Sequence, residues 1–429
     1  MWKTVLPFLL LCFVCQSAQA QDWPQWRGTN RDGVLKTANL LTSFEELKTN
    51  WTKEISSGYS GPTVGGGKVY VMDRRTKPQQ TERVLCFDEK SGKQLWVHEY
   101  DAVYRGVGYV AGPRASVTID GDKVYLIGTM GHAYCLNATT GKEIWKNDFD
   151  SDLKISKSKR MPVWGIAASP LVYRDLVIYH VGGLDACIIA MDKTSGKEVW
   201  RALKDRAQYS SPVIGKHSGK DVLICWTGDA VVGLKPTTGD VSWRFEFKPR
   251  NMPIGIATPV VSGNKIFLTS FYDGSLMLKM KDDRTVAKVW SAVGDNEKST
   301  KALHSIISTP IWIDDVIYGV DSYGELRAIE AATGDRIWES DKAVPRGRWS
   351  TIHFVRDGGM VWMFNERGDL KLGTLSRSGF TEISSVNIIA PTTNQLNRRG
   401  GVCWSHPAFA NGSVLVRNDK EIKSVSLKK

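Results

Sequence analysis

The sequence predicts an all-β chain folded as an eight-bladed β-propeller, with the ring closed by an outer strand from near the N-terminus. Three observations carry the prediction: a nine-residue motif repeated along the chain, a tryptophan period near 45, and eight small-residue or proline motifs that open inner strands. The motif is clearest at Asn137-Ala138-Thr139-Thr140-Gly141-Lys142-Glu143-Ile144-Trp145. Copies run from Asp88 to Trp96, Asp192 to Trp200, Lys235 to Trp243 and Glu330 to Trp338, and a copy ending at Trp290 has lost its Gly.

Each copy reads as strand, tight turn, strand. Gly after Thr or Ser takes up positive φ without steric cost, and the preceding Asp or Asn bonds its own backbone to start the turn. Upstream runs such as Lys68-Val69-Tyr70-Val71-Met72 and Lys123-Val124-Tyr125-Leu126-Ile127 are β-branched and aromatic, of strand length. Trp51, 96, 145, 200, 243, 290 and 338 are spaced by 45, 49, 55, 43, 47 and 48 residues. A period of that length built from short strands marks four-stranded blades, and each Trp is expected to pack on the next blade.

Inner strands are expected after Ser60-Gly61-Pro62, Arg114-Ala115-Ser116, Ala168-Ser169-Pro170, Ser210-Ser211-Pro212, Ala257-Thr258-Pro259, Ser308-Thr309-Pro310, Ser350-Thr351 and Ser405-His406-Pro407. The last of these starts a blade with strands near Pro407, at Ser413–Arg417 and at Glu421–Leu427, after which the chain ends. Its missing outer strand is expected from Asn50-Trp51-Thr52-Lys53-Glu54-Ile55, which leaves no open sheet edge.

The repeated (Ala/Cys)-x-(Asp/Asn)-x-x-(Thr/Ser)-Gly-x-x-x-Trp pattern resembles the repeat of the pyrroloquinoline-quinone (PQQ)-like propellers, and it covers nearly all of the mature chain. The opening Asp22-Trp23-Pro24-Gln25-Trp26-Arg27-Gly28-Thr29-Asn30-Arg31-Asp32-Gly33 is similar to the start of secreted bacterial members, named after quinoprotein dehydrogenases or the BamB outer-membrane-assembly propeller. The resemblance implies a quinoprotein-like eight-bladed fold. Because that fold hosts enzymes and scaffolds alike, the function has to be read from the site.

Residues 1–20 read as a signal peptide: Lys3, an apolar stretch from about Val5 to Val14, and the small-residue cleavage site Ala18-Gln19-Ala20. The apolar stretch is shorter than the roughly 20 residues of a membrane span. Leu11 and Val14, before Cys12 and Cys15, do not suit a lipidation site. The expected division is signal peptide 1–20, N-terminal extension 21–46 and propeller 47–429, a monomer located in the periplasm or secreted. Five cysteines remain after cleavage (Cys86, Cys135, Cys187, Cys225 and Cys403), an odd number scattered along the chain. Cys86 and Cys135 take the small-residue slot of the motif, so they read as buried hydrophobes. The formal charge of +12 becomes about +11 without Lys3, which favours acidic partners. With export and no recognisable nucleic-acid module, nucleic acid is not among the expected partners.

Loops joining each outer strand to the next inner strand should share one face, opposite the Thr-Gly turns, and that face carries the irregular sequence. It holds an insertion at Arg74–Glu82, the stretch Tyr104–Pro113 and the longest loop, Lys146–Gly165. Long loops on a rigid scaffold are where binding concentrates. The candidate ligand mouth is Arg105, Arg114, Trp164, Arg346, Arg348, Arg398 and Trp404, with Tyr109, Tyr209, His304, Trp349, Arg399 and His406 around it. Arginines interleaved with aromatics suit planar or carboxylate-bearing ligands, so the expected partner is a protein or a small anionic ligand. Repulsion between Arg114, Arg348 and Arg398 is an added reason to expect an anion there.

No catalytic residue and no metal ligand can be named. No serine sits in a nucleophile motif, the seven histidines lack metal spacing, and Asp148, Asp150 and Asp152 read as a solvated loop. The resemblance makes PQQ a candidate cofactor, but the enzymes it points to carry adjacent cysteines and calcium-binding carboxylates, and this chain has no adjacent cysteines. The expected function is therefore an exported non-catalytic propeller that binds a partner or serves as a scaffold, in envelope protein assembly. The alternative is a PQQ- and calcium-dependent alcohol or sugar dehydrogenase.

Overall fold

The structure, a computed structural model, describes residues 21–36, 40–45, 47–155 and 161–429; the expected signal peptide lies outside them. Among the described residues are eight sheets, one for each expected blade. Blade 1 is Thr63–Gly65, Lys68–Arg75, Thr81–Asp88 and Gln94–Asp101, and blades 2 to 6 repeat this order of four antiparallel strands. Blade 7 begins at Ile352–Asp357 and carries Val34–Leu35 as an added parallel strand on its inner edge. Blade 8 takes Ala408–Ala410, Ser413–Arg417 and Glu421–Ser426 from the C-terminal end and Thr49–Glu54 from the N-terminal end, as the incomplete last repeat predicted.

Burial along each strand follows its place in the blade. The two middle strands are apolar on both faces because a blade packs on each side of them; Lys123–Ile127 and Ala230–Leu234 are almost wholly buried. In blades 1 to 4 and 8 the outer strands bury one residue in their first three, the Trp, and expose both of its neighbours. A bulge lies beside it, as between Glu143 and Trp145, and a bulge re-aims a side chain locally.

The Trp is a latch between blades. Trp96 Nε1 donates to Ala138 O (3.2 Å) and Trp145 Nε1 to Lys193 O (3.1 Å), each on the following blade's turn. The turn glycine has two reasons to be Gly. At Gly141 φ is +70°, and a Cβ there would sit 2.6 Å from the Trp96 ring of the preceding blade. Gly92 on Trp51, Gly196 on Trp145, Gly239 on Trp200 and Gly334 on Trp290 repeat the contact, so the Trp290 copy works although its own turn has no Gly. Trp145→Ala is expected to cost about 3–5 kcal/mol, the usual penalty for emptying a buried aromatic site. It would be read as a lower denaturant midpoint with an unchanged slope.

Two buried arginines tie the ring together. Arg417 joins blade 8 to blade 1 by donating to Met72 O (2.8 Å), Ser56 O (2.6 Å) and Asn418 O (3.0 Å). Arg31 lies on the N-terminal segment, which enters the central channel. It donates to Ser169 O (3.3 Å), Pro212 O (3.1 Å) and Pro170 O, drawing blades 3 and 4 towards the axis. Carbonyl oxygens thus meet the need of each guanidinium for acceptors away from water.

The expected insertion at Arg74–Glu82 is not a loop. Both strands of the hairpin continue through it, with Arg74 paired to Glu82 and Arg75 to Thr81. An Asp73–Arg83 ion pair (2.6 Å) and the Arg74 guanidinium over the Tyr104 ring (3.8 Å) hold the charged residues that made it look like a loop. All five cysteines are buried and none of them forms a disulfide among the described residues; for Cys86 and Cys135 burial is what the motif implied. Among the described residues no helix is long and apolar enough to cross a membrane.

Candidate functional site

The eight loops that lead into inner strands converge on the axis, and every one of them sends a side chain to the same chamber. In order round the ring these are Tyr59, Tyr109, Trp164, Tyr209, Ile256, Ile306 with Ile307, Trp349 and Trp404. Trp26, from the segment that fills the channel, forms the floor with His353 and His406. Its Nε1 donates to Thr258 Oγ1 (2.8 Å) and its ring lies 4.9 Å from that of His406. The chamber, open at its mouth, has a volume of about 130 Å³. A cavity of roughly 150 Å³ accommodates one benzene ring, so the chamber is of the size of a single aromatic side chain.

Tyr109 reaches across the mouth from the loop between blades 1 and 2. Its ring is 5.2 Å from Trp164, 6.1 Å from Trp349 and 6.3 Å from Trp404. Tyr109 sits at φ +56°, uncommon for a non-glycine residue, and Arg114 clamps the loop in that shape. The Arg114 guanidinium donates to the carbonyls of Gly108 (2.8 Å), Tyr109 and Gly112 and to Thr129 Oγ1 (3.2 Å). It lines the chamber, but its donors hold the loop.

The other predicted arginines lie at the rim and most have partners inside the protein. Arg348 makes two bonds to Glu297 (3.0 and 2.7 Å), and its guanidinium lies 4.6 Å from the centre of the Trp349 ring. The pair raises the Arg348 pKa and holds the Glu297 carboxyl below its ordinary value. Arg346 bonds Glu325, and Arg399 bonds Glu366 at 3.2 Å. The repulsion expected among the arginines is thus largely relieved by internal carboxylates. Arg398 differs: it is exposed, lies 4.9 Å over the Trp349 ring and has no ion pair among the described residues. Arg105 is exposed and outside the lining. His304, expected at the mouth, is buried outside the chamber, where it bonds Phe271 O (3.0 Å) and Gly294 N (3.2 Å).

Of the residues singled out from sequence, Tyr109, Arg114, Trp164, Tyr209, Trp349, Trp404 and His406 line the chamber. Trp26, Tyr59, the isoleucines and His353 were missed. Two signals pointed to them: Trp26 lies in the family-like opening stretch, and Tyr59 stands directly before Ser60-Gly61-Pro62.

PQQ with calcium does not fit this donor set. The lining contains no carboxylate, and its one guanidinium already donates to four acceptors of its own loop and neighbouring strand end. A space sized for one ring is also small for a tricyclic tricarboxylate. Asp148 caps the short helix Phe149–Leu153 by accepting from Asp150 N and Ser151 N, and no group of three or more His, Cys, Asp or Glu side chains among the described residues is disposed to hold a metal ion.

Residues 80–340 match the family model described as outer membrane protein assembly factor BamB. The chain is 22% identical over 274 residues to outer membrane protein assembly factor BamB of Yersinia pestis, a match spanning 63% of this chain and 65% of that protein, just under two thirds of its length. Among solved structures, BamB from Moraxella catarrhalis is similar with a TM-score of 0.60 at 16% identity, covering 89% of this chain and 98% of that one. A europium-containing methanol dehydrogenase is similar with a TM-score of 0.65 at 12% identity, over 95% of this chain and 98% of that one. At such identities the likeness to both solved structures is one of fold.

Proposed function

The chain belongs to the family described as outer membrane protein assembly factor BamB, and from that premise we propose that it is an exported, non-catalytic scaffold in envelope protein assembly. It works outside the cytoplasm, in the periplasm or secreted, as a monomer, and docks a partner protein on its loop-rich face. The observation that carries the reading is the chamber itself. Each of the eight loops delivers an aromatic or aliphatic side chain to one point, and none delivers a carboxylate. Rigid rings around an apolar space, with a polar rim, are the make-up of a binding hot spot.

The chamber takes one aromatic side chain from the partner. Arg398, stacked on Trp349, meets a carboxylate beside it. The net charge of the chain favours an acidic segment in the same way.

The test is titration of the purified protein with a short acidic peptide carrying one Phe, followed by the fluorescence of the chamber tryptophans. Binding is expected to weaken about tenfold with Arg398→Glu, to fall as salt rises, and to be lost when the Phe is replaced by Ala. Equal binding of the Phe and Ala peptides would place the docking surface elsewhere. Uptake of stoichiometric PQQ with calcium, together with dye-linked oxidation of an alcohol or sugar, would overturn the reading in favour of a dehydrogenase.

A further inference from the structure

On the opposite face, the one with the Thr-Gly turns, the channel opens into a second and larger cavity of about 540 Å³. Its walls are the ends of the inner strands of blades 4, 5, 6 and 7, and its roof is the N-terminal segment Arg27–Val34. Volumes of several hundred Å³ are the usual size of small-molecule sites. The cavity lies beyond the floor of the aromatic chamber, and it shares no lining residue with it.

Four basic side chains face this space, Arg27, Arg31, Lys216 and Arg356, against one carboxylate, Asp32. Arg27 and Arg31 are buried, and neither makes an ion pair with a carboxylate among the described residues. Arg27 donates to Asp32 O (2.8 Å), and its buried Nε has no acceptor among the described residues. Arg356, half-buried, uses its Nε on Gly358 O (3.2 Å), which leaves its terminal nitrogens without an acceptor among the described residues. Lys216 is paired with Asp221 (2.5 Å), an exchange an anion can enter. A buried guanidinium with an unused donor is costly unless something accepts from it.

We propose that this funnel is a second binding site, for a small phosphate-bearing anion. The free donors approach from three directions: Arg27 from the roof, Lys216 from blade 4 and Arg356 from blade 7, while Arg31, held by Gln25 and the carbonyls of Ser169, Pro170 and Pro212, adds only its positive charge. A phosphoryl group offers acceptors on several sides at once, whereas a carboxylate engages one planar fork. The room left over admits an organic portion against Val213, Ile214 and Val261. The phosphate arrives either on a free ester or on a lipid headgroup.

Calorimetry and thermal shift with glycerol 3-phosphate at low salt test the site, with succinate as the carboxylate control and sedimentation with phosphatidylglycerol vesicles as the lipid arm. The variant is Lys216→Gln with Arg356→Gln. Both side chains reach solvent, so its melting temperature without ligand should stay within a few degrees of wild type. Glycerol 3-phosphate is expected to raise the melting temperature of the wild type, and the double variant to bind it about tenfold or more weakly. Vesicle binding that is lost in the same variant identifies the headgroup as the source, and vesicle binding that is absent identifies the free ester. The proposal is overturned if millimolar glycerol 3-phosphate gives neither heat nor a shift, if the variant binds as well as wild type, or if succinate binds equally well. The fluorescence titration of the chamber is independent of all these results, so either site can fail alone.

Discussion

A protein lacking residues 47–57 is expected to lose its cooperative unfolding transition. The deletion removes the strand Thr49–Glu54, which pairs with Glu421–Ser426 from Thr49 opposite Val425 to Glu54 opposite Glu421. With it goes Trp51, whose ring lies on the Gly92 turn and whose Nε1 donates to Glu89 O (2.8 Å). The buried Ile55 and the Ser56 carbonyl that accepts from Arg417 are lost too. Emptying the Trp site alone costs about 3–5 kcal/mol, and a domain commonly has about 5–15 kcal/mol in all. The newly unpaired edge of Glu421–Ser426 on blade 8 also invites association. Calorimetry and size-exclusion chromatography should show a broad or missing transition with aggregates. A truncated protein that melts within a few degrees of the full chain would show that the ring does not depend on this strand.

Acid is expected to destabilise the ring between about pH 6.5 and pH 4, well before most carboxylates titrate. His180 and His353 are fully buried, and burial pushes their pKa values down to about 4. Burial, with His353 and Arg27 beside it, likewise pushes His406 well below its ordinary value. The unfolded chain therefore binds these protons first as the pH falls, so stability is complete above about pH 6.5 and is lost on the way down. A depression of this size corresponds to about 3 kcal/mol for each of His180 and His353. Glu366, Asp273 and Asp357 have raised pKa values, again from burial, and act in the opposite direction. The histidine share is isolated by comparing wild type with His180→Gln in denaturant titrations at pH 7 and pH 4.5. The variant should lose less stability than wild type over that range; parallel losses would assign the acid sensitivity to other groups.

The parts of this fold that sequence reveals are the repeated ones. Because the same Trp meets the same turn at successive seams, its spacing alone disclosed the blades, and the short last repeat disclosed where the ring closes. The chamber was legible only in part, since its members come from eight loops of different length and sequence. Trp164, Trp349 and Trp404 stand out in irregular stretches, but nothing local distinguishes Ile256 or Ile306 from ordinary core residues. The arginines misled for a related reason. Glu297 lies 51 residues from Arg348, Glu325 lies 21 from Arg346 and Glu366 lies 33 from Arg399, so their charge compensation exists only once the loops are folded together. Trp26 lies in a recognisable stretch, but its place in the chamber was hidden because it reaches the axis by threading the channel.

The closing strand also puts the chain on a timetable. Asn50 bonds Ser424 across 374 residues of sequence, and ribosomes extend a chain by about 5–20 residues each second. The closing strand therefore waits roughly 20–75 s for its partner to be made, with Trp51 and an unsatisfied backbone edge exposed throughout. Blades 1 to 7 can assemble in order as they emerge, since each has its own four strands. Blade 8 cannot begin until both ends are present. Until then the early strand is open to any other edge it meets, so correct folding requires that one segment to stay unpaired while the rest of the chain is made.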